Sequence, residues 1–270
     1  RAEQAAEHAQ QFYTLFEDAV RLRLRSDVPA GTCLSGGLDS SSIVCVANNL
    51  LTAGKPGEAT AMGGRQQTFS SCYDDPRFDE RSYIEKKKKK TGAQANYTFP
   101  SGQKLLEALP RLIWHQDEPF GGLSIFAQWC VMERVAAQKV VVLLDGQGGD
   151  ELLAGYHPCF DYFWGGLARA SQWGILWQEW RAYQQRYQTA LPYLALRTMR
   201  PFAPASWQGA ARRWQRGGAL GIADEFDRAY QHRAYEFVER SNDPLRSYLA
   251  ALTQYSIPML LRFEDRNSMA

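Results

Sequence analysis

A short segment rich in glycine and serine carries the clearest chemical signal in the chain. It spans residues 35–41 and reads Ser-Gly-Gly-Leu-Asp-Ser-Ser. Glycines let a backbone pass close to a ligand, and the start of a following helix would direct its N–H groups and dipole at an anion. The serine hydroxyls supply further donors. The pattern predicts a phosphate-binding turn, although a glycine turn that only caps a helix would use the same residues.

Asp39 lies inside this segment and restricts the kind of phosphate site that it can form. A carboxylate beside a polyphosphate is repelled unless a cation lies between them, so Asp39 predicts a Mg²⁺ ion that bridges the carboxylate and the phosphate oxygens. No lysine follows the second glycine, so the spacing of a Walker A loop is absent, which argues against a γ-phosphate transferase. The dinucleotide-binding pattern G-x-G-x-x-G is absent as well.

A second acidic glycine turn follows an apolar run at residues 140–144. Residues 145–156 read Asp-Gly-Gln-Gly-Gly-Asp-Glu-Leu-Leu-Ala-Gly-Tyr. In a parallel sheet the carboxyl ends of the strands meet at one edge, where ligands bind at a switch point. Asp39 and Asp150 are therefore predicted to share metal ions. Asp150 and Glu151 could instead serve only as the acidic first turn of a helix.

Alternating strand and helix patterns predict how the two turns are positioned. Short apolar runs predict strands at residues 32–34, 67–73, 96–99 and 140–144. Helical spacing of apolar residues predicts helices at residues 2–25, 43–51, 79–91, 105–113 and 124–138. The continuous apolar run at 140–144 is typical of a strand covered on both faces. This order predicts an α/β fold in residues 1–160, with a doubly wound parallel sheet and flanking helices. Residues 161–270 lack strand-like alternation, so a mainly helical remainder is predicted.

Composition argues against several other classes of protein. With 270 residues, 45% of them hydrophobic, and a net charge of only +2, the chain predicts a large core and no nucleic-acid partner. The five cysteines show no C-x-x-C spacing, and the four histidines show no metal-ligand spacing, which argues against disulfides and zinc. The five lysines at residues 86–90 predict a solvated surface patch rather than a phosphate site. No signal peptide or bilayer-spanning run is present, so a cytoplasmic protein without a membrane partner is expected.

Both glycine turns resemble signatures of known families. Residues 35–41 resemble the pyrophosphate loop of the ATP pyrophosphatases, which cleave ATP between its α and β phosphates. Residues 143–156 resemble the second signature of the asparagine synthetases, which reads Ser-Gly-Glu-Gly-x-Asp-Glu in many members. Here Asp145 replaces the serine and Gln147 replaces the first glutamate, and an amide cannot exchange a proton near neutral pH. Residues 114–119 and 261–270 also resemble this family.

The resemblance to the C-terminal synthetase domain of glutamine-hydrolysing asparagine synthetases implies an adenine-nucleotide α-hydrolase-like fold and a reaction in two steps. Mg²⁺-ATP binds across the two turns, and a carboxylate attacks the α-phosphate to give an acyl-adenylate and pyrophosphate. An amine then displaces AMP. In asparagine synthesis the carboxylate is that of aspartate, and the amine is ammonia that an N-terminal glutaminase domain releases from glutamine.

The same resemblance implies roles for individual residues. It implies catalytic roles for Gln147, Asp150 and Glu118, and metal ligation by Asp39 and Asp150. The implied nucleotide-binding positions are Leu34, Ser35, Gly36, Gly37, Asp39, Ser40, Ser41, Ser71, Asp145 and Gly146. Asp117 and Glu118 could instead form a solvated pair at a helix end. Glu264, Asp265 and Arg266 are interpreted as a structural ion-pair cluster rather than a catalytic group.

Other functions and partners remain open at this point. The chain begins with Arg1 and stops after a charged cluster, so it is expected to be part of a longer protein. The glutaminase domain with its cysteine, and a lysine that the family supplies, are expected outside it. A relative that closes a ring or joins a peptide amide, as β-lactam synthetases and lasso-peptide cyclases do, is one alternative. A non-catalytic nucleotide-sensing protein is another, and a homodimer is compatible with each.

Overall fold

The structure is a computed structural model that describes residues 2–53, 65–203, 225 and 241–270. The chain divides into two compact units, Arg1–Gln147 with Met259–Ala270, and Gly148–Pro258. The predicted division into residues 1–160 and 161–270 stays a prediction. The parts of the predicted helical remainder at residues 204–224 and 226–240 lie outside the described residues.

A four-stranded parallel sheet forms the centre of the first unit. Its strands in chain order are β1 (Ala30–Cys33), β2 (Gln67–Ser71), β3 (Gln94–Thr98) and β4 (Val142–Leu144). The spatial order is β3-β2-β1-β4, and Thr32 of β1 pairs with Thr68 on one side and Leu144 on the other. The strand order therefore reverses between β1 and β4, and in open α/β sheets the ligand crevice lies outside the carboxyl ends at such a switch point.

Helices connect the strands and cover both faces of this sheet. They are α1 (Ala2–Arg23), α2 (Leu38–Thr52), α3 (Arg81–Thr91), α4 (Gly102–Gln116) and α5 (Ser124–Ala137). One apolar cluster joins α1 and α2 to Leu144, and another joins α5 to Leu143. Because successive strand residues point to opposite faces, these clusters lie on the two sides of β4. The predicted parallel sheet with flanking helices is confirmed.

The apolar run at residues 140–144 forms a shorter strand than predicted. Only Val142–Leu144 pair with β1, and all three side chains are half-buried. Val140 is buried against α5, whereas the side chain of Val141 is 69% exposed. The predicted start of the strand at residue 140 was wrong, because β4 begins only after Val141. Within β4 the expected cover on both faces is observed, since Leu144 and Leu143 pack in separate apolar clusters.

The described residues of the second unit are helical. They form α6 (Gly149–Leu153), α7 (His157–Arg169), α8 (Trp173–Tyr187), α9 (Leu191–Met199), a 3₁₀ turn (Arg200–Phe202), α10 (Pro244–Ala251) and a π-helical turn (Leu252–Ser256). The fully buried Trp164 packs with Tyr183 and Leu194 in the core. Arg197 donates to the buried carboxylate of Asp161 at 2.5 Å and to the Tyr183 hydroxyl at 2.7 Å. None of the helices in the described ranges has the length and apolar character needed to span a bilayer.

The last helix, α11 (Ile257–Ser268), is fastened to the first unit by a buried amide network. Asn267 is 2% exposed and donates to the Ile125 carbonyl at 3.0 Å and to Gln128 Oε1 at 2.8 Å. Its Oδ1 accepts from Gln116 Nε2 at 2.8 Å. Arg262 of the same helix donates to the Gln116 carbonyl at 2.6 Å. Every polar atom of the Asn267 side chain is thus paired inside the unit, and the network fixes the position of α11.

Replacing Asn267 by leucine should therefore destabilise the chain. The leucine removes the shorter of the two hydrogen bonds made by the Gln116 amide, and it removes the donor to the Ile125 carbonyl and to Gln128 Oε1. This loss costs about 2–3 kcal/mol of unfolding free energy. Urea denaturation measures this loss. The control Asn49→Leu, at an exposed position of α2, should change the unfolding free energy by less than about 0.5 kcal/mol. Equal stability of the two variants would contradict the assigned network.

Candidate active site

The first glycine turn leads from β1 into α2, and the start of α3 approaches it closely. Gly36 has a φ of +84°, in the left-handed region that favours glycine. A Cβ atom at this position would lie 3.1 Å from the Cβ of Glu80 and 3.2 Å from the Cβ of Tyr83. Gly37 is the N-cap residue of α2. Glycine is therefore required at residue 36 both by the backbone conformation and by the approach of α3.

The serines of this turn differ in how their hydroxyls are satisfied. Ser40 accepts a hydrogen bond from the Ser35 backbone N–H at 3.2 Å, and the two hydroxyls are 3.0 Å apart. The hydroxyl of Ser41, at the start of α2, is buried without a hydrogen-bond partner, as is that of Ser71 at the end of β2. Buried polar atoms in folded proteins nearly always have a partner. These two hydroxyls are consequently candidates for binding a ligand.

The second glycine turn packs directly against the first. A Cβ atom on Gly146 would lie 3.0 Å from the backbone nitrogen of Ser40 and 3.2 Å from the Cβ of Asp39. The turns follow β1 and β4, which are neighbours at the switch point of the sheet. The structure thus brings Asp39 and Ser40 together with Gly146, as the two-turn prediction requires.

Asp145 directly follows β4, and its carboxylate accepts a hydrogen bond from the backbone N–H of Gly146. Its charge also influences the pKa of two other groups, the thiol of Cys33 in β1 and the carboxyl of Glu264 in α11. Burial, followed by the charge of Asp145, raises the pKa of Glu264 to about 7. Burial and the same carboxylate raise the pKa of the Cys33 thiol above its usual range.

No pattern in the sequence indicated that Asp145 influences Glu264. The charged residues of α11 predict an ion-pair cluster of Glu264, Asp265 and Arg266. In the structure, Arg266 instead lies 3.8 Å from the exposed carboxylate of Asp117. Glu264 is partly buried, and this burial together with the charge of Asp145 raises its pKa. An acidic residue in a charged stretch gave no local signal for this partner, because the two residues are far apart in the chain.

The remaining residues of the second signature fall on either side of the boundary between the units. Gln147 is exposed and ends the first unit, and Asp150 lies in the second. A Cβ atom on Gly155 would lie 1.8 Å from Asp150 Oδ1, so the Asp150 carboxylate fills the space that any side chain at 155 would need. Tyr156 donates to the buried Glu151 carboxylate at 2.6 Å. The shared metal site of Asp39 and Asp150 stays a prediction.

Glu118 belongs to an open cleft at the end of α4. The cleft has a volume of about 540 Å³ and is lined by Ile113, Trp114, Asp117, Glu118, Pro119 and Phe120. Glu118 lies 3.5 Å from Arg262 of α11, and both Asp117 and Glu118 are largely exposed. Among the described residues, the ion pair of Glu118 is with Arg262 of α11, so its predicted catalytic role stays a prediction.

Carboxylates in the described residues do not form a closed metal cage. No group of three or more His, Cys, Asp or Glu side chains within the described ranges is placed to hold an ion. Mg²⁺ in nucleotide sites usually takes only one or two protein carboxylates and completes its shell with phosphate oxygens and water. Asp39, in contact with the Gly146 turn, fits that sparse donor set.

The sequence is similar to those of several known proteins. The family model for asparagine synthase matches residues 11–270. The chain is 37% identical over 142 residues to a putative glutamine-hydrolysing asparagine synthetase 2 of Methanocaldococcus jannaschii, covering 53% of this chain and 25% of that protein. It is 32% identical over 140 residues to glutamine-hydrolysing asparagine synthetase 1 of Bacillus subtilis, covering 52% and 20%.

A protein with a different name also matches this region. Amidase chyE of Penicillium rubens is 29% identical over 142 residues, which cover 52% of this chain and 21% of that protein. The matched region is thus a quarter or less of the length of each of these relatives. Because the family model covers nearly all of the sequence, this chain belongs to the asparagine synthase family.

Proposed function

We propose that this chain is the ATP-using part of an enzyme that forms amide bonds through an acyl-adenylate. The observation that carries this proposal is the contact of Gly146 with Asp39 and Ser40, which joins the two glycine turns at the switch point. A nucleotide held there has backbone N–H groups and serine hydroxyls on one side and the β4 turn on the other. Membership of the asparagine synthase family supports the same reaction.

Different groups of residues are proposed to bind the pyrophosphate portion, the remainder of the nucleotide and the metal ion. The N–H groups at the start of α2 and the hydroxyls of Ser35, Ser40 and Ser41 bind the pyrophosphate portion. Leu34, Ser71, Asp145 and Gly146 surround the remainder of the nucleotide, with Gly36 and Gly37 shaping the turn. Asp39 and Asp150 would hold Mg²⁺, which neutralises phosphate charge and so assists departure of pyrophosphate.

The residues of the chain then act on the two steps of the reaction. Gln147, which the structure leaves exposed beside the turn, is proposed to donate an amide hydrogen bond to the intermediate, since it cannot transfer a proton. The Asp150 carboxylate occupies the space that the absent side chain of Gly155 leaves open. Glu118 is oriented by its ion pair with Arg262. Aspartate and ammonia are the proposed substrates, because several relatives are named asparagine synthetases.

A second candidate is amide formation on a different carboxylate or amine, as in natural-product or peptide biosynthesis. The relative named as an amidase favours it, and so does Gln147 in place of the glutamate that many asparagine synthetases carry. For either candidate, we propose that the complete protein also carries a glutaminase domain, forms a homodimer and is located in the cytoplasm. Testing a panel of carboxylates in the assay below separates the two candidates.

The unpartnered hydroxyl of Ser41 provides a first test of nucleotide binding. Ser41→Ala removes a group that makes no intramolecular hydrogen bond, so stability should be unchanged while ATP affinity falls about tenfold, the effect of one lost hydrogen bond of about 1.4 kcal/mol. Calorimetric titration with Mg²⁺-ATP measures the affinity.

Ser70→Ala is the matched control for this substitution. The Ser70 hydroxyl donates to the Leu34 carbonyl at 2.6 Å in a buried position, so its loss should lower the unfolding free energy by about 1 kcal/mol. A Ser41→Ala variant that loses stability and keeps full ATP affinity would contradict the assignment of Ser41 to the nucleotide.

The two aspartates test the chemistry. In the full-length protein, Asp39→Ala and Asp150→Ala should each abolish aspartate-dependent exchange of labelled pyrophosphate into ATP, because the metal ligands are lost. Asp27→Ala, at an exposed position before β1, should leave the exchange intact. If either active-site variant exchanged pyrophosphate at the rate of the unmodified protein, the proposal would be contradicted. If the unmodified protein bound ATP without any exchange, a nucleotide-sensing function would be favoured instead.

A further inference from the structure

Helix α4 carries two apolar faces, and only one of them is buried in the first unit. The inner face packs against α5 and consists of Leu105, Ala108 and Leu112. The other face, which we call the outer stripe, has apolar residues at helical spacing: Leu106, Leu109, Pro110, Ile113 and Trp114. Leu106 is 67%, Ile113 55% and Trp114 80% exposed. Adjacent exposed apolar side chains of this size are typical of a surface that binds another molecule.

The outer stripe leads into the open cleft at the end of α4. Ile113 and Trp114 belong to both, and Pro119 and Phe120 extend the apolar surface beyond the helix. Leu106 lies about two helical turns before Ile113, at the other end of the stripe. A concave surface at one end and an exposed leucine at the other suit an isologous contact, in which two copies offer the same surface to each other.

Charged residues of both signs flank the outer stripe on one side of α4. Glu107 and Arg111 are exposed and lie about one helical turn apart. Glu107 accepts a hydrogen bond from Gln103 at 2.8 Å, and the guanidinium of Arg111 lies 5.6 Å from the centre of the Trp129 ring. Neither residue forms an ion pair with another residue of the described ranges. Both charges are therefore available to a molecule that covers the stripe.

A two-fold axis across the middle of the outer stripe would pair these charges between two copies. Along the helix, Glu107 precedes the middle of the stripe and Arg111 follows it. When two helices pack antiparallel about such an axis, the same flank of each helix faces the other, and a residue before the middle meets one after it. Glu107 of each copy then faces Arg111 of the other. By the same symmetry, Leu106 faces the end of the stripe that carries Trp114 and the cleft.

We propose that the outer stripe of α4 is a homodimer interface, at which two copies of this chain pack antiparallel about a two-fold axis. This inference names the interface of the homodimer in the function proposed above and rests on that proposal. Leu106, Ile113 and Trp114 form its apolar centre, and two symmetric pairs of Glu107 with Arg111 at the edge set the orientation. A second copy is the occupant that these charges favour, because the stripe with its flanking residues is complementary to itself.

Charge reversal at the edge of the interface tests the pairing. Sedimentation equilibrium of the full-length protein over a concentration series measures the dissociation constant of the dimer. Glu107→Arg and Arg111→Glu should each raise this constant about tenfold, because each places two pairs of like charges across the axis. The variant that combines Glu107→Arg with Arg111→Glu restores opposite charges and should return the constant to within about threefold of the wild-type value.

Truncation at the apolar centre tests the same interface independently. Trp114→Ser should raise the dissociation constant at least about 100-fold, as expected for a large aromatic side chain that is lost from both copies. Lys90→Glu is the matched control, since it reverses a charge at an exposed position of α3, and it should leave the constant unchanged. Thermal melting shows whether each variant is folded, and the charge variants decide the question if Trp114→Ser is not.

Each outcome decides the inference. Dimers of unchanged affinity in Glu107→Arg and Arg111→Glu would overturn it, as would a full-length wild type that stays monomeric at every concentration because something other than a second copy covers the stripe. Failure of the combined variant to recover would overturn the antiparallel pairing. Absence of pyrophosphate exchange from a dimeric wild type would instead overturn the proposed reaction and leave the interface in place.

Discussion

The close approach of Gly146 to the phosphate turn is the constraint on which the site depends. A Cβ atom on this glycine would lie only 3.0 Å from the backbone nitrogen of Ser40 and 3.2 Å from the Cβ of Asp39, so a side chain here would push the two turns apart. Because β1 and β4 are parallel neighbours, their following turns leave the sheet on the same side. The contact therefore brings two turns that are distant in the sequence together at one site. It also places Asp145, the residue before Gly146, beside the position proposed for the nucleotide.

Much of this arrangement could be predicted from local patterns. Glycines, serines and an enclosed carboxylate limit what residues 35–41 can bind, and the alternation of strands and helices fixes a parallel sheet in which both turns share an edge. The error at residues 140–144 has a physical cause. A continuous apolar run does not show where a strand begins, and Val141, although apolar, lies exposed just before β4.

Other features depend on contacts between distant residues, for which the sequence carried no signal. Burial and the charge of Asp145 raise the pKa of Glu264, a residue of the helix α11 that the amide network of Asn267 and Gln116 holds in place. Likewise, glycine is favoured at residue 155 because the carboxylate of Asp150 occupies the space of a side chain there. It is favoured at residue 36 partly because the first residues of α3 lie close to it. Ser41 and Ser71 stand out only once the surrounding hydrogen bonds are known, because a serine in sequence gives no indication that its hydroxyl is buried and unpaired.

The central claim is that the two joined turns direct a carboxylate to the α-phosphate of ATP. Aspartate labelled with heavy oxygen in its side-chain carboxylate tests it in the full-length protein, because attack on the α-phosphate transfers one carboxylate oxygen to AMP. Mass spectrometry of the nucleotide and phosphate products after amide formation locates the label. The account predicts heavy oxygen in AMP and none in inorganic phosphate. Label in inorganic phosphate, with ADP as the nucleotide product, would contradict it.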